Sequence, residues 1–127
     1  MLQRIQTLYL FGALIVNFVF LFAPIGISTD TSVSVTSNIS VTILNLSLNG
    51  LLLFSIFSFK NRKRQVLICA LLGVGFMVEM GISMMLLTDG VIAWNFCLPF
   101  ASILLNMLAL RAINRDEKLV RSADRLR

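Results

Sequence analysis

The sequence predicts an all-α integral membrane protein: a bundle of four membrane-spanning helices, arranged as two hairpins and followed by a basic cytosolic helix. Three observations lead to this fold class. Hydrophobic residues make up 57% of the 127 residues and charged residues only 13%, whereas a soluble domain carries about 25% charged residues. All charged residues except Glu79 fall outside the long apolar segments. Each of these segments is close to the roughly 20 residues that cross a bilayer core.

The four spans form a single predicted membrane domain over residues 1–127. A cleavable signal peptide is the alternative for the first span, because Arg4 precedes its apolar run. However, that run exceeds the roughly 7 to 15 residues of a signal peptide and lacks a small-x-small cleavage motif, so we expect it to be retained. We place the spans and the tail at residues 5–27, 41–59, 65–88, 91–110 and 111–127.

Two local features modify these spans. Residues 28–40 are rich in serine and threonine, and their valines alternate with polar residues. We therefore expect an irregular connection or a short strand there. Pro99 lies inside the fourth span, where we expect a kink because membrane helices tolerate proline.

The distribution of the basic residues predicts the topology. All eleven Lys and Arg residues lie in three segments on one side of the predicted spans, and the two loops on the other side hold none. Because Lys and Arg accumulate in short cytoplasmic loops, both termini are predicted inside. The cations form a candidate surface for anionic lipid headgroups or an unidentified protein partner, and we expect no nucleic-acid binding. They are Arg4, Lys60, Arg62, Lys63, Arg64, Arg111, Arg115, Lys118, Arg121, Arg125 and Arg127.

Glu79 is the only charged side chain within a span. It lies near the bilayer centre, where we expect a carboxylate to be protonated or hydrogen bonded. Counting from the inner ends of the other spans places Asn17, Asn45 and Asn95 at similar depth. We therefore predict a polar layer across the bundle. It serves either as interhelical glue or in handling a proton or cation at Glu79.

Enzyme chemistry has no support in the sequence. There is no histidine, and no nucleophile-base pair, metal cluster or phosphate-binding loop is evident. We expect no enzymatic activity, no cofactor and no metal. Cys69 and Cys97 lie at depths more than roughly 10 Å apart, too far for a disulfide, so two free thiols are predicted.

Small residues in the third span predict close helix packing. Gly73, Gly75 and Gly81 share this span with Ala70, but no strict GxxxG pattern occurs. The pattern therefore favours packing within the bundle over a homo-oligomer, which it only weakly supports.

Both ends of the chain and the central basic segment resemble a known family. The matching residues are Gln3–Thr7 with Tyr9 and Leu10, then Lys60–Lys63, then Arg111–Ile113 and Asp116–Arg127. Together they resemble the DUF4293 family of bacterial membrane proteins, whose function is unknown. The resemblance implies four spans in a bacterial inner membrane. It implies no activity and no catalytic residues. Leu110 departs from the asparagine that the family often has at this position.

The sequence thus favours a non-enzymatic scaffold or accessory subunit that acts through its basic cytosolic face. The alternative is a small transporter or ion-coupled carrier that uses Glu79.

Overall fold

Four long helices dominate the structure and confirm the all-α, four-span prediction. The computed structural model describes residues 3–28, 31–59, 61–86, 91–92 and 94–124. Each helix is long and apolar enough to cross a membrane. The helices are α1 (Gln3–Phe22), α2 (Ile39–Phe57), α3 (Arg62–Met85) and α4 (Cys97–Asp124).

The helices form a closed ring in which each contacts its two neighbours. α1 packs against α2 and α4, and α3 packs against the same two helices. Contacts along neighbouring pairs show that they are antiparallel. On α2 and α3, for example, Asn45 meets Glu79 while Ser55 meets Cys69. The bundle therefore has two distinct ends. We call the end where α1 and α3 begin the basic end, and the opposite end the sheet end.

Apolar side chains cover the outside of the bundle, and several polar side chains lie inside it beside an apolar core. Leu8, Phe22 and Phe57 are each more than 60% exposed, whereas Asn17 and Asn45 are fully buried. Exposing such a surface to water is unfavourable, and large exposed apolar patches are rare in soluble monomers. The same surface suits a bilayer, in which apolar side chains face the lipid and polar side chains face the bundle interior.

A small antiparallel sheet closes the sheet end. Its strands are β1 (Pro24–Ser28), β2 (Thr31–Ser34) and β3 (Val91–Ile92), in the order β2-β1-β3. β1 pairs with β2 across a short connection and with β3 through Gly26 and Ile27. The sheet therefore ties the connection after α1 to the segment before α4. A short 3-10 turn, Val35–Ser37, then leads into α2.

Helix bounds differ from the predicted spans mainly at the sheet end. α1 ends at Phe22 and not near Ile27, because Pro24 has no N–H to continue the helix and begins β1 instead. The residues expected to start the fourth span form β3 and a 3-10 turn, Trp94–Phe96. α4 therefore starts only at Cys97.

Pro99 does not lie in the interior of a helix, where we expected it to produce a kink. It is the third residue of α4, and the first four N–H groups of a helix have no intrahelical partner. The missing N–H of proline therefore removes no intrahelical hydrogen bond at this position. The helix therefore accommodates Pro99 in its first turn.

At the basic end the charged segments are mostly helical. Arg62, Lys63 and Arg64 form the first turn of α3, so the predicted basic loop is largely part of a helix. α4 continues past residue 110 to Asp124 without a break, as predicted for the basic tail. Lys60, Arg125 and Arg127 lie outside the described residues, as do the side chains of Arg4 and Arg121.

Both cysteines are free, as predicted. Cys69 is buried between helices, and Cys97 is exposed at the start of α4. The glycines of α3 divide by position. A Cβ on Gly75 would collide with the Leu48 side chain of α2, and one on Gly73 would lie 3.5 Å from the Asn106 amide, whereas Gly81 has open space. Close packing inside the bundle thus accounts for the first two.

Candidate functional site

Glu79 lies at the centre of a polar cluster inside the bundle. Its side chain is fully buried, and its Oε1 accepts a hydrogen bond from Asn45 Nδ2 at 2.6 Å. The antiparallel register of α2 and α3 brings these two residues together, since each lies near the middle of its helix. The interhelical bond therefore joins the carboxyl group of α3 directly to an amide of α2.

The cluster extends from Asn45 to two further asparagines. Asn45 Nδ2 also approaches Asn17 of α1, at 3.3 Å from its Oδ1 and 3.4 Å from its backbone oxygen. Asn49, one turn along α2, donates to Asn45 Oδ1 at 2.8 Å. The hydrogen-bonded cluster of Glu79, Asn45, Asn17 and Asn49 thus spans three helices.

Several atoms of this cluster are buried without a hydrogen-bond partner among the described residues. They are Glu79 Oε2, Asn17 Nδ2 and Asn49 Oδ1. Ser83, one turn after Glu79 on α3, likewise has a buried hydroxyl without a partner. Each such group costs about 1–3 kcal/mol of stability. Buried side-chain polar atoms without a partner are uncommon in folded proteins, which makes this cluster the candidate site of the bundle.

The fourth helix contributes Ser102 at the same height. Gly12 of α1 faces Leu105 of α4, and Gln6 bonds to Asp116. Both pairings place Asn17 within about 5 Å of the level of Ser102. The Ser102 hydroxyl is buried and has no partner in the described part of the chain. All four helices therefore place a polar side chain near the mid-height of the bundle.

Asn95, the remaining member of the predicted layer, lies elsewhere. Its amide donates to the backbone oxygen of Pro24 at 3.5 Å, in the region of the sheet. Because Pro24 follows Asn17 by seven residues, this contact lies about 10 Å nearer the sheet end than the cluster. The depth of Asn95 was counted as if a helix began at residue 91, but the chain there forms a strand and a 3-10 turn.

Sequence reasoning missed Asn49, Ser83 and Ser102. A signal for the first two was present, because Asn49 follows Asn45 by four residues and Ser83 follows Glu79 by four. Residues at this spacing lie on the same face of a helix. No comparable signal existed for Ser102, whose position depends on how α4 packs against α1.

Further buried polar contacts fasten the helices nearer the basic end. Asn106 of α4 donates to the backbone oxygen of Cys69 at 2.8 Å. Gln65 of α3 donates to the backbone oxygen of Ser55 at 3.3 Å. Each contact crosses between two helices. The α2–α3 and α3–α4 interfaces are thus held by polar groups as well as by apolar packing.

The basic residues that the structure describes line two surface grooves at the basic end. The first groove, of about 450 Å³, is lined by Asn61, Arg62, Lys63, Arg64 and Glu117. The second, of about 280 Å³, lies between α1 and α4 and is lined by Ile5, Tyr9, Leu108, Arg111, Ala112 and Arg115. Lys118 is exposed nearby on α4. The start of α1, the start of α3 and the far part of α4 thus meet at one end of the bundle.

The described residues do not bring three His, Cys, Asp or Glu side chains together as a metal site would require. What the middle of the bundle offers chemically is a buried carboxyl group among amides and hydroxyls, and the basic end adds a separate surface with two grooves.

These features define the class of the protein as a four-helix membrane bundle with a polar interior and one basic end. The chain belongs to the family described as "Domain of unknown function (DUF4293)", which it matches over residues 2–126. No curated protein and no solved structure matches the chain.

Proposed function

We propose that this protein is a non-enzymatic accessory or scaffold protein of a bacterial inner membrane, and that its basic face contacts anionic lipid or a protein partner in the cytosol. The observation that carries this proposal is the meeting of cations from α3 and α4 at one end of the bundle. Arg62–Arg64 line one groove there, and Arg111 and Arg115 line the other. Segments far apart in sequence thus contribute to a single charged surface.

The position of this surface favours the cytosolic side. Short cytoplasmic loops of membrane proteins are enriched in Lys and Arg, and the cytoplasmic leaflet attracts each such residue by about 1 kcal/mol. The sheet-end connections, residues 28–40 and 86–96, contain no Lys or Arg. With the basic end inside, both termini are cytoplasmic.

Photocrosslinking in cells tests the proposal. A photoreactive residue replaces Leu119, which is half exposed on the far part of α4. A matched control carries the same residue at Ile39, which is exposed at the sheet end. We expect Leu119 to yield a discrete protein adduct, or lipid adducts enriched in anionic lipid, that Ile39 does not yield. Equal products from both positions, or none from Leu119, would contradict the proposal.

A second candidate function is that of a small transporter or ion-coupled carrier using Glu79. It is favoured by the buried Glu79 Oε2, which has no described partner, and by the complete lack of Lys, Arg and His in the four apolar segments. A membrane-buried carboxylate without a basic partner needs a proton or a cation to neutralise it. Reversible exchange of that ion is the step a carrier would use.

Reconstituted vesicles with an internal pH indicator test this candidate. A carrier using Glu79 would give proton flux in the wild type that Glu79→Gln abolishes, while Ser47→Ala, an exposed change on α2, leaves it intact. The glutamine keeps an oxygen that can accept from Asn45, so the variant retains the cluster. Flux that survives Glu79→Gln would eliminate this function.

A further inference from the structure

The groove between α1 and α4 has a basic part and an apolar part. Arg111 and Arg115 supply the basic part, and Ile5 and Leu108 supply the apolar part, with Tyr9 at the same level. We propose that this groove binds one anionic phospholipid, with the phosphate held by the two arginines and an acyl chain lying along the apolar side chains. This inference rests on the proposed function and names the ligand of one part of the basic face.

The two arginines are placed to share one phosphate. They are four residues apart on α4, and both are exposed. Side chains at this spacing lie about 5–6 Å apart on one helix face. Guanidinium groups bind phosphate oxygens in a bidentate manner.

The acidic side chains near this groove are directed away from it. No acidic residue is among the described residues that line the groove. The neighbouring Asp116 is turned into the bundle, where it is buried and accepts a hydrogen bond from Gln6 at 2.6 Å. Glu117 lines the other groove. The α1–α4 groove therefore presents positive charge alone.

The apolar part continues into the membrane-facing surface. Leu108 is 40% exposed and Leu104, one turn nearer the bundle centre, is 49% exposed. Successive steps of three or four residues place Leu104, Leu108, Arg111 and Arg115 on one side of α4. This side changes from apolar to basic where the helix leaves the apolar part of the bundle. A lipid matches both halves of this surface, whereas free phosphate or a soluble acidic peptide matches only the basic half.

The second groove provides an internal comparison. Its described lining holds three basic residues and Glu117, and it includes no apolar side chain. It therefore attracts anions in general but has no surface for an acyl chain. A Lys63→Ala/Arg64→Ala variant removes two positive charges at the same end of the bundle, as many as Arg111→Ala/Arg115→Ala removes.

Native mass spectrometry of the purified protein tests the proposal. Wild type and both double variants are titrated in detergent with phosphatidylglycerol, and with phosphatidylethanolamine as the zwitterionic control. We expect the wild type to bind one phosphatidylglycerol in preference to phosphatidylethanolamine. Arg111→Ala/Arg115→Ala should bind it about 30-fold more weakly. Lys63→Ala/Arg64→Ala should weaken binding by no more than about five-fold, because these cations of the basic face lie outside the α1–α4 groove and attract the lipid only at longer range. Millimolar inorganic phosphate should not displace the lipid.

A third variant, Arg111→Lys/Arg115→Lys, keeps the charge and should bind with intermediate affinity, because lysine lacks the planar fork. Thermal unfolding of each variant confirms that it is folded. If both alanine variants lose the same amount of affinity for phosphatidylglycerol, the proposed lipid site in the groove is wrong, but the proposed basic face is not contradicted. Displacement by phosphate would also overturn the proposed lipid site. If the wild type does not prefer phosphatidylglycerol to phosphatidylethanolamine, the proposed lipid site is wrong. The Leu119 crosslink would then decide separately whether the basic face binds a protein.

Discussion

At the scale of single residues, the distinctive feature is the pairing of Glu79 with Asn45. The bond of 2.6 Å occupies one carboxyl oxygen, and the other has no described partner. The same asparagine approaches Asn17 and accepts a bond from Asn49. Asn45 is therefore the residue that connects the members of the cluster.

Replacing Asn45 should expose how much the cluster contributes to stability. Asn45→Leu removes the bond to Glu79 Oε1 and leaves the carboxyl group without its donor. We expect a loss of about 1–3 kcal/mol in the free energy of unfolding, measured by equilibrium unfolding in detergent. Ser47→Ala changes an exposed polar residue of the same helix and should stay within about 0.5 kcal/mol of wild type.

The double variant Asn45→Leu/Glu79→Leu distinguishes a specific pair from general disruption. Replacing both partners by apolar groups can be nearly neutral, so the double variant should be more stable than the sum of the single changes predicts. A strictly additive loss would show that the two residues do not interact in the membrane-embedded protein.

Close packing of α2 against α3 depends on one glycine. A Cβ on Gly75 would collide with the Leu48 side chain, while Gly81 on the same helix has open space. Gly75→Ala should therefore destabilise the protein by about 1–3 kcal/mol through overpacking. Gly81→Ala is the matched control and should leave the melting temperature unchanged or slightly higher. Equal effects of the two changes would refute a tight contact at Gly75.

At the scale of elements, the sequence predicts the four helices well because each depends on its own hydropathy. It predicts a possible short strand within residues 28–40, where β2 lies. It does not predict the sheet, because β1 pairs with β3 through residues far apart in the chain, such as Gly26 and Ile92. The depth predicted for Asn95 was wrong for the same reason, because the chain before α4 belongs partly to the sheet. The shared depth of Glu79, Asn45 and Asn17 followed from counting residues along each span, and that count works only where the helices are continuous.

The far part of α4 is anchored by one buried hydrogen bond. Gln6 of α1 donates to Asp116, and both side chains are buried. Ile113, one turn earlier, is fully buried in the same core as Leu10. This packing explains why α4 continues as a helix past the apolar segment. It also holds Arg111 and Arg115 beside α1.

Gln6→Leu should release that part of the helix. It leaves the buried Asp116 carboxyl group without its donor, a loss of about 1.5–3 kcal/mol for a hydrogen bond to a charged group. We expect faster tryptic cleavage at Arg115 and Lys118 in the variant. Asn114→Ala, an exposed change on the same helix, serves as control and should be cleaved at the wild-type rate. Equal cleavage of Gln6→Leu and wild type would show that this bond does not hold the extension.

At the scale of the whole molecule, the type of polar side chain differs between the centre of the bundle and its two ends. The centre holds uncharged amides, hydroxyls and one carboxyl group, while the described cations gather at the basic end. The sheet end carries neutral strands and exposed apolar residues such as Trp94. This asymmetry gives the molecule a direction along the membrane normal. The proposed orientation follows from it.

Single cysteines test that orientation in bacterial cells. In a Cys69→Ala/Cys97→Ala background, Thr36→Cys places a thiol at an exposed position of the sheet end, and Ser122→Cys places one at an exposed position near the end of α4. Lys and Arg accumulate on the cytoplasmic side of membrane proteins, so under the proposed orientation a membrane-impermeant maleimide should label Thr36→Cys in intact cells. It should label Ser122→Cys only after the cells are permeabilised. Labelling of Ser122→Cys alone would invert the topology, and labelling of both in intact cells would mean that the charge asymmetry does not orient the bundle.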